Sequence, residues 1–224
     1  MKLNTKGKFG DILSNNDWKE IIKNKLNTTD FKILERSVKS FSDRQLGIMG
    51  EHLSLQATVA VSNGKDSDVS QHLNLNFFAK SIPRGIKAFE NFVESTQSFL
   101  KEYRFYLDIL PDLKKHQIQE EASWSCKCYL AKPDILVFEN LMCQGFQHYE
   151  CKPSIDYKHC ALLAETLARF HAESVIFEEK ESCTIADKYS DILFETFWVT
   201  TEGHPGNDFL HSSAKKNKKT YYIN

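Results

Sequence analysis

The amino-acid sequence predicts an α+β protein built from an antiparallel sheet and long amphipathic helices. Apolar residues alternate with polar ones from Leu53 to Val61, and they recur at intervals of three and four from Phe89 to Leu107. Alternation is typical of a half-buried strand, whereas the longer intervals are typical of a helix with one buried face. Strands and helices therefore follow one another in a chain that could form one large domain or two small lobes.

Composition excludes several classes of protein. The chain has 224 residues, of which 41% are hydrophobic and 12% aromatic, which is enough for a substantial core. Its net charge of -1 provides no general attraction to nucleic acid or to anionic membranes. No stretch approaches the roughly 20 apolar residues that span a bilayer, and the first residues lack the apolar centre of a secretory signal. We expect no nucleic-acid partner, no membrane span and a cytoplasmic location.

The first elements are a short helix and a pair of strands. Apolar residues at helical intervals predict a helix over 18–26, with Asp17 as its N-cap. The alternation of Leu53–Val61 repeats over Leu73–Ala79, and Asn63-Gly64 supplies a turn pair between the two. Two antiparallel strands are therefore predicted.

A lysine and a glutamate follow at positions where they could pair. Lys80 lies at the end of the second strand, just before Pro83, and Glu102 lies on the flank of the buried stripe of the long helix that Pro111 is expected to end. A buried carboxylate needs a compensating cation. At about 4 Å and an effective dielectric near 20 a lysine returns roughly 4 kcal/mol of gross attraction. The alternative, in which both side chains point into water, stays open.

Two further strands are predicted over Trp124–Leu130 and Ile135–Leu141, the second apolar on both faces. Cys126, Cys128 and Leu130 would share one face of the first, where cysteine acts as a small core residue. The cysteines are expected to be free thiols because their density is low and no secretion signal accompanies them. The alternative is a zinc site that also uses Cys143, His148 and Cys151.

The last predicted element is a long helix capped by Asp156. His171 lies on its apolar stripe and is interpreted as a core histidine. Beyond Lys188 the pattern weakens, and Lys215–Lys219 is typical of a solvated tail.

The order of these elements is the plan of the small lobe of a protein-kinase-like fold. Strand, turn, strand ending in lysine, helix with an inward glutamate, two strands, acidic connector and helix follow in sequence. We predict an N-terminal lobe with an antiparallel sheet and one long helix, followed by only the first helices of a C-terminal lobe. The boundaries are residues 1–141 for the first lobe with its hinge, 142–200 for the incomplete second lobe and 201–224 for an irregular tail.

Four segments carry a resemblance to a known family. They are Phe77–Pro83, Phe99–Tyr106, Ile135–Leu141 with Gly145-Phe146, and Leu167–Ser174. With them the sequence resembles the ecdysteroid kinase-like proteins of insects, also called CHK kinase-like, which are related to choline kinases and aminoglycoside phosphotransferases. The resemblance implies a two-lobed fold, ATP with Mg²⁺ as cofactors, and phosphoryl transfer to a hydroxyl of a small molecule such as a steroid.

The resemblance also implies a set of nucleotide-binding residues. They are Lys80, Glu102, Glu139, Asn140, Leu141, Gly47 and Gly50. Lys80 would hold phosphates and Glu102 would hold Lys80. The stretch from Glu139 to Leu141 would form the hinge whose backbone meets adenine, with Asn140 where the family often has Asp. The two glycines would belong to a loop that covers the nucleotide, although an ordinary turn explains them equally well.

The catalytic segments of the family have no match in this sequence. Its His-Gly-Asp loop and later Asp-Phe-Gln-like segment do not occur. Gly203–Asn207 is similar to the His-Pro-Gly-Asn loop of aminoglycoside phosphotransferases, which would make Glu202 the base and Asn207 a metal ligand, but Thr200-Thr201 does not match. Two hypotheses stay open: a C-terminally truncated small-molecule kinase that is inactive in this form, or a non-catalytic relative that binds nucleotide, lipid or a protein partner.

Overall fold

The computed structural model describes residues 12–42, 49–62, 70–116, 124–147, 154–196, 198–208 and 211–212. Its first elements are α1 (Asn15–Leu26), β1 (Phe31–Ser40), β2 (Glu51–Ser62), β3 (Ser70–Ser81), α2 (Lys87–Thr96) and α3 (Ser98–Arg104). A π-helical turn (Phe105–Ile109), α4 (Leu110–Lys114), β4 (Cys128–Lys132), β5 (Ile135–Glu139), a 3-10 turn (Leu141–Gln144), α5 (Tyr157–Glu181) and α6 (Ile185–Lys188) follow. The predicted α+β class is confirmed. Outside the described residues lie Gly47, Asn63-Gly64, His148, Cys151 and Lys215–Lys219.

The five strands form one antiparallel sheet in the order β1-β2-β3-β5-β4. β2 and β3 pair along their whole length, with Leu53 opposite Ala79, as the alternation predicted. β1 was not predicted from the sequence. Its alternation is interrupted by a register shift between Ile33 and Glu35, and such a bulge hides the period of a strand.

The sheet buries both of its faces. On one face the side chains of β2 and β3 pack against Trp18, Ile21 and Ile22 of α1. On the other face Phe78, Leu136 and Phe138 pack against α2 and α3. Successive residues of β5 enter the two cores in turn, so the prediction that this strand is buried on both faces is confirmed.

The predicted single long helix is wrong. Gln97 has a φ of 51°, in the left-handed region, and separates α2 from α3. Pro111 does not end the helix either. The preceding turn is π-helical, with the Leu110 N–H donating to the carbonyl of Phe105, which loosens the turn where proline lacks its own N–H.

Two further local predictions are wrong. The N-cap of α1 is Ser14, and Asp17 instead completes a capping box from the third helical position. β4 begins at Cys128, and a bulge after it reverses the alternation. Cys128 and Leu130 therefore lie in different cores, on opposite faces of the sheet.

The long helix α5 is capped by Asp156, which accepts a hydrogen bond from the His159 N–H at 3.0 Å, as predicted. His171, predicted to be a core residue, is exposed. The buried residues of α5 in the described structure are Glu173 and Phe177, both in the second half of the helix. In the described part of the chain, no helix is both long and apolar enough to cross a membrane.

The capping box provides a test of how α1 is held. Ser14 and Asp17 exchange hydrogen bonds of 2.8 and 3.2 Å, and Asp17 lies 3.2 Å from the ammonium of Lys132 on β4. We expect Ser14→Ala to lower the free energy of unfolding by roughly 0.5–2 kcal/mol, measured by urea denaturation. Asn16→Ala, on the exposed side of the same turn, is the matched control and should cause no loss.

Candidate nucleotide-binding site

An ion pair joins the sheet to α3. Lys80 Nζ lies 2.5 Å from Glu102 Oε2, and the two side chains are 22% and 30% exposed. The pairing predicted from the sequence is therefore present. Phe99 anchors the same helix in the core one turn earlier, so the carboxylate of Glu102 is held at the edge of the buried stripe.

Gly50 makes room for the lysine stem. A Cβ at this position would lie 3.0 Å from Cε of Lys80 and 3.0 Å from the carbonyl oxygen of Ser81. Gly50 is itself buried. Because Gly50 has no side chain, the start of β2 has the space to pack directly on Lys80.

Aromatic rings line the sheet beside the ion pair. His52 is the residue directly opposite Lys80 in the β2–β3 ladder, and its ring centroid lies 5.5 Å from that of Phe78. Phe41 meets Phe78 edge-on at 5.0 Å, and Phe138 stacks against it at 6.4 Å. Phe78 precedes Lys80 by two residues, so the sequence already predicted that it shares the face of Lys80. His52 was not among the predicted site residues.

The predicted hinge residues build a tight turn after β5. The carboxylate of Glu139 accepts hydrogen bonds from the Lys127 N–H at 2.8 Å and from the Gln144 amide at 2.7 Å. The side chain of Asn140 accepts from the Met142 N–H at 3.1 Å, and the Leu141 carbonyl accepts from Phe146. Burial opposes ionisation of Glu139, but these two hydrogen bonds and the charges of Lys127 and Lys25 together outweigh it, so its pKa lies below the usual value.

Comparison with known proteins gives the family. The model of the ecdysteroid kinase-like family matches residues 51–222, a span that includes the ion pair and the turn after β5. The chain belongs to the ecdysteroid kinase-like family. Comparison with curated proteins and with solved structures found no match to this chain.

The thiols of this ecdysteroid kinase-like chain do not form a metal site within the described residues. Burial raises the pKa of Cys126, and it raises the pKa of Cys128 to about 12, so both thiols stay protonated. No three histidine, cysteine or acidic side chains of the described segments come together as metal ligands. Cys143 is exposed in the turn after β5.

Residues after α6 brace the helices that carry Glu102. The buried hydroxyl of Thr196 donates to the carbonyl of Thr96 at 2.5 Å, at the α2–α3 break. Lys101 donates to the carbonyl of Phe194, and Arg104 lies 3.4 Å from Asp191. We name residues 191–196 the brace. No pattern in the sequence indicates it, because it depends on contacts between distant parts of the chain.

The segment similar to a phosphotransferase loop closes a turn of its own. The buried amide of Asn207 donates to the Thr201 carbonyl at 3.1 Å, and the Gly206 N–H donates to Nδ1 of His204. Glu202 is exposed. Asn207 thus has a structural partner within its turn.

The pKa of His52 predicts a pH-dependent stability. Burial lowers this pKa below 6.5, the charge of Lys80 lowers it further, and Glu102 opposes both. The unfolded chain therefore takes up the proton first as the pH falls. The stability due to neutral His52 is present above pH 6.5 and is lost as the pH falls through the folded pKa.

We expect His52→Gln to reduce the difference in urea midpoint between about pH 7.5 and pH 5.5. His72→Gln removes an exposed imidazole from the same hairpin and is the matched control. An unchanged pH difference in His52→Gln would contradict the assignment.

Proposed function

We propose that this chain binds ATP on the sheet face that carries Lys80, with Lys80 contacting the phosphates and Glu102 orienting the lysine. The ion pair of 2.5 Å is the observation that carries the proposal. Kinases use such a strand lysine and helix glutamate to hold nucleotide phosphates. Membership of the ecdysteroid kinase-like family supports the same role.

The electrostatics of the pair suit this role. Lys80 is 22% exposed, so its ammonium is partly desolvated while it remains open to solvent. One donor is used by Glu102, and an ammonium has further donors for phosphate oxygens. Glu102 fixes the lysine in place before a ligand arrives, which lowers the entropy lost on binding. Gly50 contributes by letting β2 approach the same stem.

Adenine would lie between the lysine and the hinge. The half-buried ring of Phe78 lies on this part of the sheet, and the proposed hinge begins directly after the buried Phe138. Stacking of a base on an aromatic ring contributes roughly 1–3 kcal/mol. The hinge backbone of Glu139, Asn140 and Leu141 would supply hydrogen bonds to the edge of the base.

Phosphoryl transfer needs more than this pair. The family implies Mg²⁺ as well as ATP, but no carboxylate among the described residues is assigned to the metal, because no suitable cluster of ligands occurs in those segments. For family members that carry the catalytic loop, we propose phosphoryl transfer to a hydroxyl of a small molecule such as a steroid. For the 224-residue chain itself we propose nucleotide binding without transfer.

Nucleotide affinity tests the lysine. We expect Lys80→Ala to weaken ATP binding roughly 10- to 100-fold in calorimetry, because charged hydrogen bonds contribute roughly 1.5–3 kcal/mol. Lys87→Ala is the matched control, since this lysine is 78% exposed and follows the same strand. Equal affinity in Lys80→Ala and the native chain would rule out the proposed site.

Turnover tests the rest. In a coupled assay of ADP, the 224-residue protein should release no ADP from ATP in the presence of Mg²⁺ and an ecdysteroid. The same assay on Lys80→Ala separates true activity from a contaminant. ADP release by the native chain that disappears in the variant would show a complete catalytic site and contradict the expectation.

A further inference from the structure

A cavity lies in a part of the fold away from the ion pair. It has a volume of about 860 Å³ and opens between α1 and β1. α1 covers the sheet face opposite to the one on which Lys80 meets α3. The volume falls within the range of small-molecule pockets. This cavity is not part of the proposed nucleotide site.

The cavity is lined by an excess of positive charge. Its basic side chains are Lys19, Lys23, Lys32 and Arg36, and Glu20 is its acidic one. Across the described segments, none of the four basic side chains forms an ion pair. The whole chain has a net charge of only -1, so the local excess is not a general property of its surface.

The positive charges repel one another across the cavity. Lys19 and Lys23 are one helical turn apart, and like charges at this spacing destabilise a helix. Arg36 contacts the ring of Trp18, with its guanidinium carbon 5.9 Å from the centroid, which leaves its charge available. An anion in the cavity would remove the repulsion.

The wall between these charges is apolar. Phe31 and Ile33 of β1 line the cavity and pack against the core behind it. Asn24 holds the facing wall in place, because its amide donates to the carbonyl of Tyr129 at 2.8 Å. A ligand that fills this cavity therefore needs an apolar body as well as an anionic head.

We infer that the cavity between α1 and β1 binds a small amphiphilic anion, a phosphate or sulfate ester of an apolar compound. The apolar body lies against Phe31 and Ile33, and the head lies between Lys19, Lys23 and Arg36, which faces α1 from β1. A neutral apolar compound would give the ammonium groups no anionic partner, and inorganic phosphate would leave the apolar wall in water.

Calorimetry with four probes tests the inference. We expect 2-naphthyl phosphate and 2-naphthyl sulfate to bind at least roughly tenfold more tightly than 2-naphthol or inorganic phosphate. The double variant Lys19→Gln/Lys23→Gln should weaken ester binding roughly tenfold or more. Lys158→Gln/Lys180→Gln removes the same charge from exposed positions on α5 and is the matched control. Arg36→Gln, on β1, is an independent variant should the helix be disturbed.

Two results would overturn the inference. One is equal affinity for the esters in the native chain and in both cavity variants. The other is loss of ester binding in Lys80→Ala while the cavity variants retain it, since the ester would then occupy the cleft. ATP binding should be unchanged in the cavity variants, so failure of this inference and failure of the nucleotide proposal give different results.

Discussion

The ion pair between Lys80 and Glu102 is the interaction on which the rest of the site depends. Both groups are partly removed from water, and neither would be stable there without the other. Their meeting requires β3 to end at this point, α3 to dock with Phe99 in the core, and β2 to leave space at Gly50. The apolar docking of α3 and the open position at Gly50 thus bring the two charges together.

Features set by local periodicity could be predicted from the sequence. The β2–β3 hairpin and the two-faced burial of β5 follow from alternation, and the cap of α5 follows from Asp156. Features set by tertiary contacts could not. The break at Gln97 and the bulge in β4 interrupt patterns that are continuous in the sequence. The bulge places Cys128 and Leu130 in different cores.

The same division applies to the site. The pairing of Lys80 and Glu102 could be predicted because a charged residue beside an apolar stripe needs a partner, and few residues could provide it. His52 could not be predicted in this way, since only the ladder register places it next to Lys80, whereas Phe78 shares the face of Lys80 by alternation. The exposure of His171 could not be predicted either, because it too depends on tertiary contacts. An apolar stripe predicts a buried face, yet burial also needs a surface to cover it.

The brace gives α3 a dependence on residues far along the chain. Thr196, Phe194 and Asp191 contact the α2–α3 segment, whose Phe99 also packs in the core beside the sheet, so the segment has partners in two distant parts of the chain. The free energy of docking residues 191–196 and the free energy of placing Glu102 are therefore thermodynamically linked. Displacement of residues 191–196 would therefore change the preferred position of Glu102, even without a ligand beside Lys80.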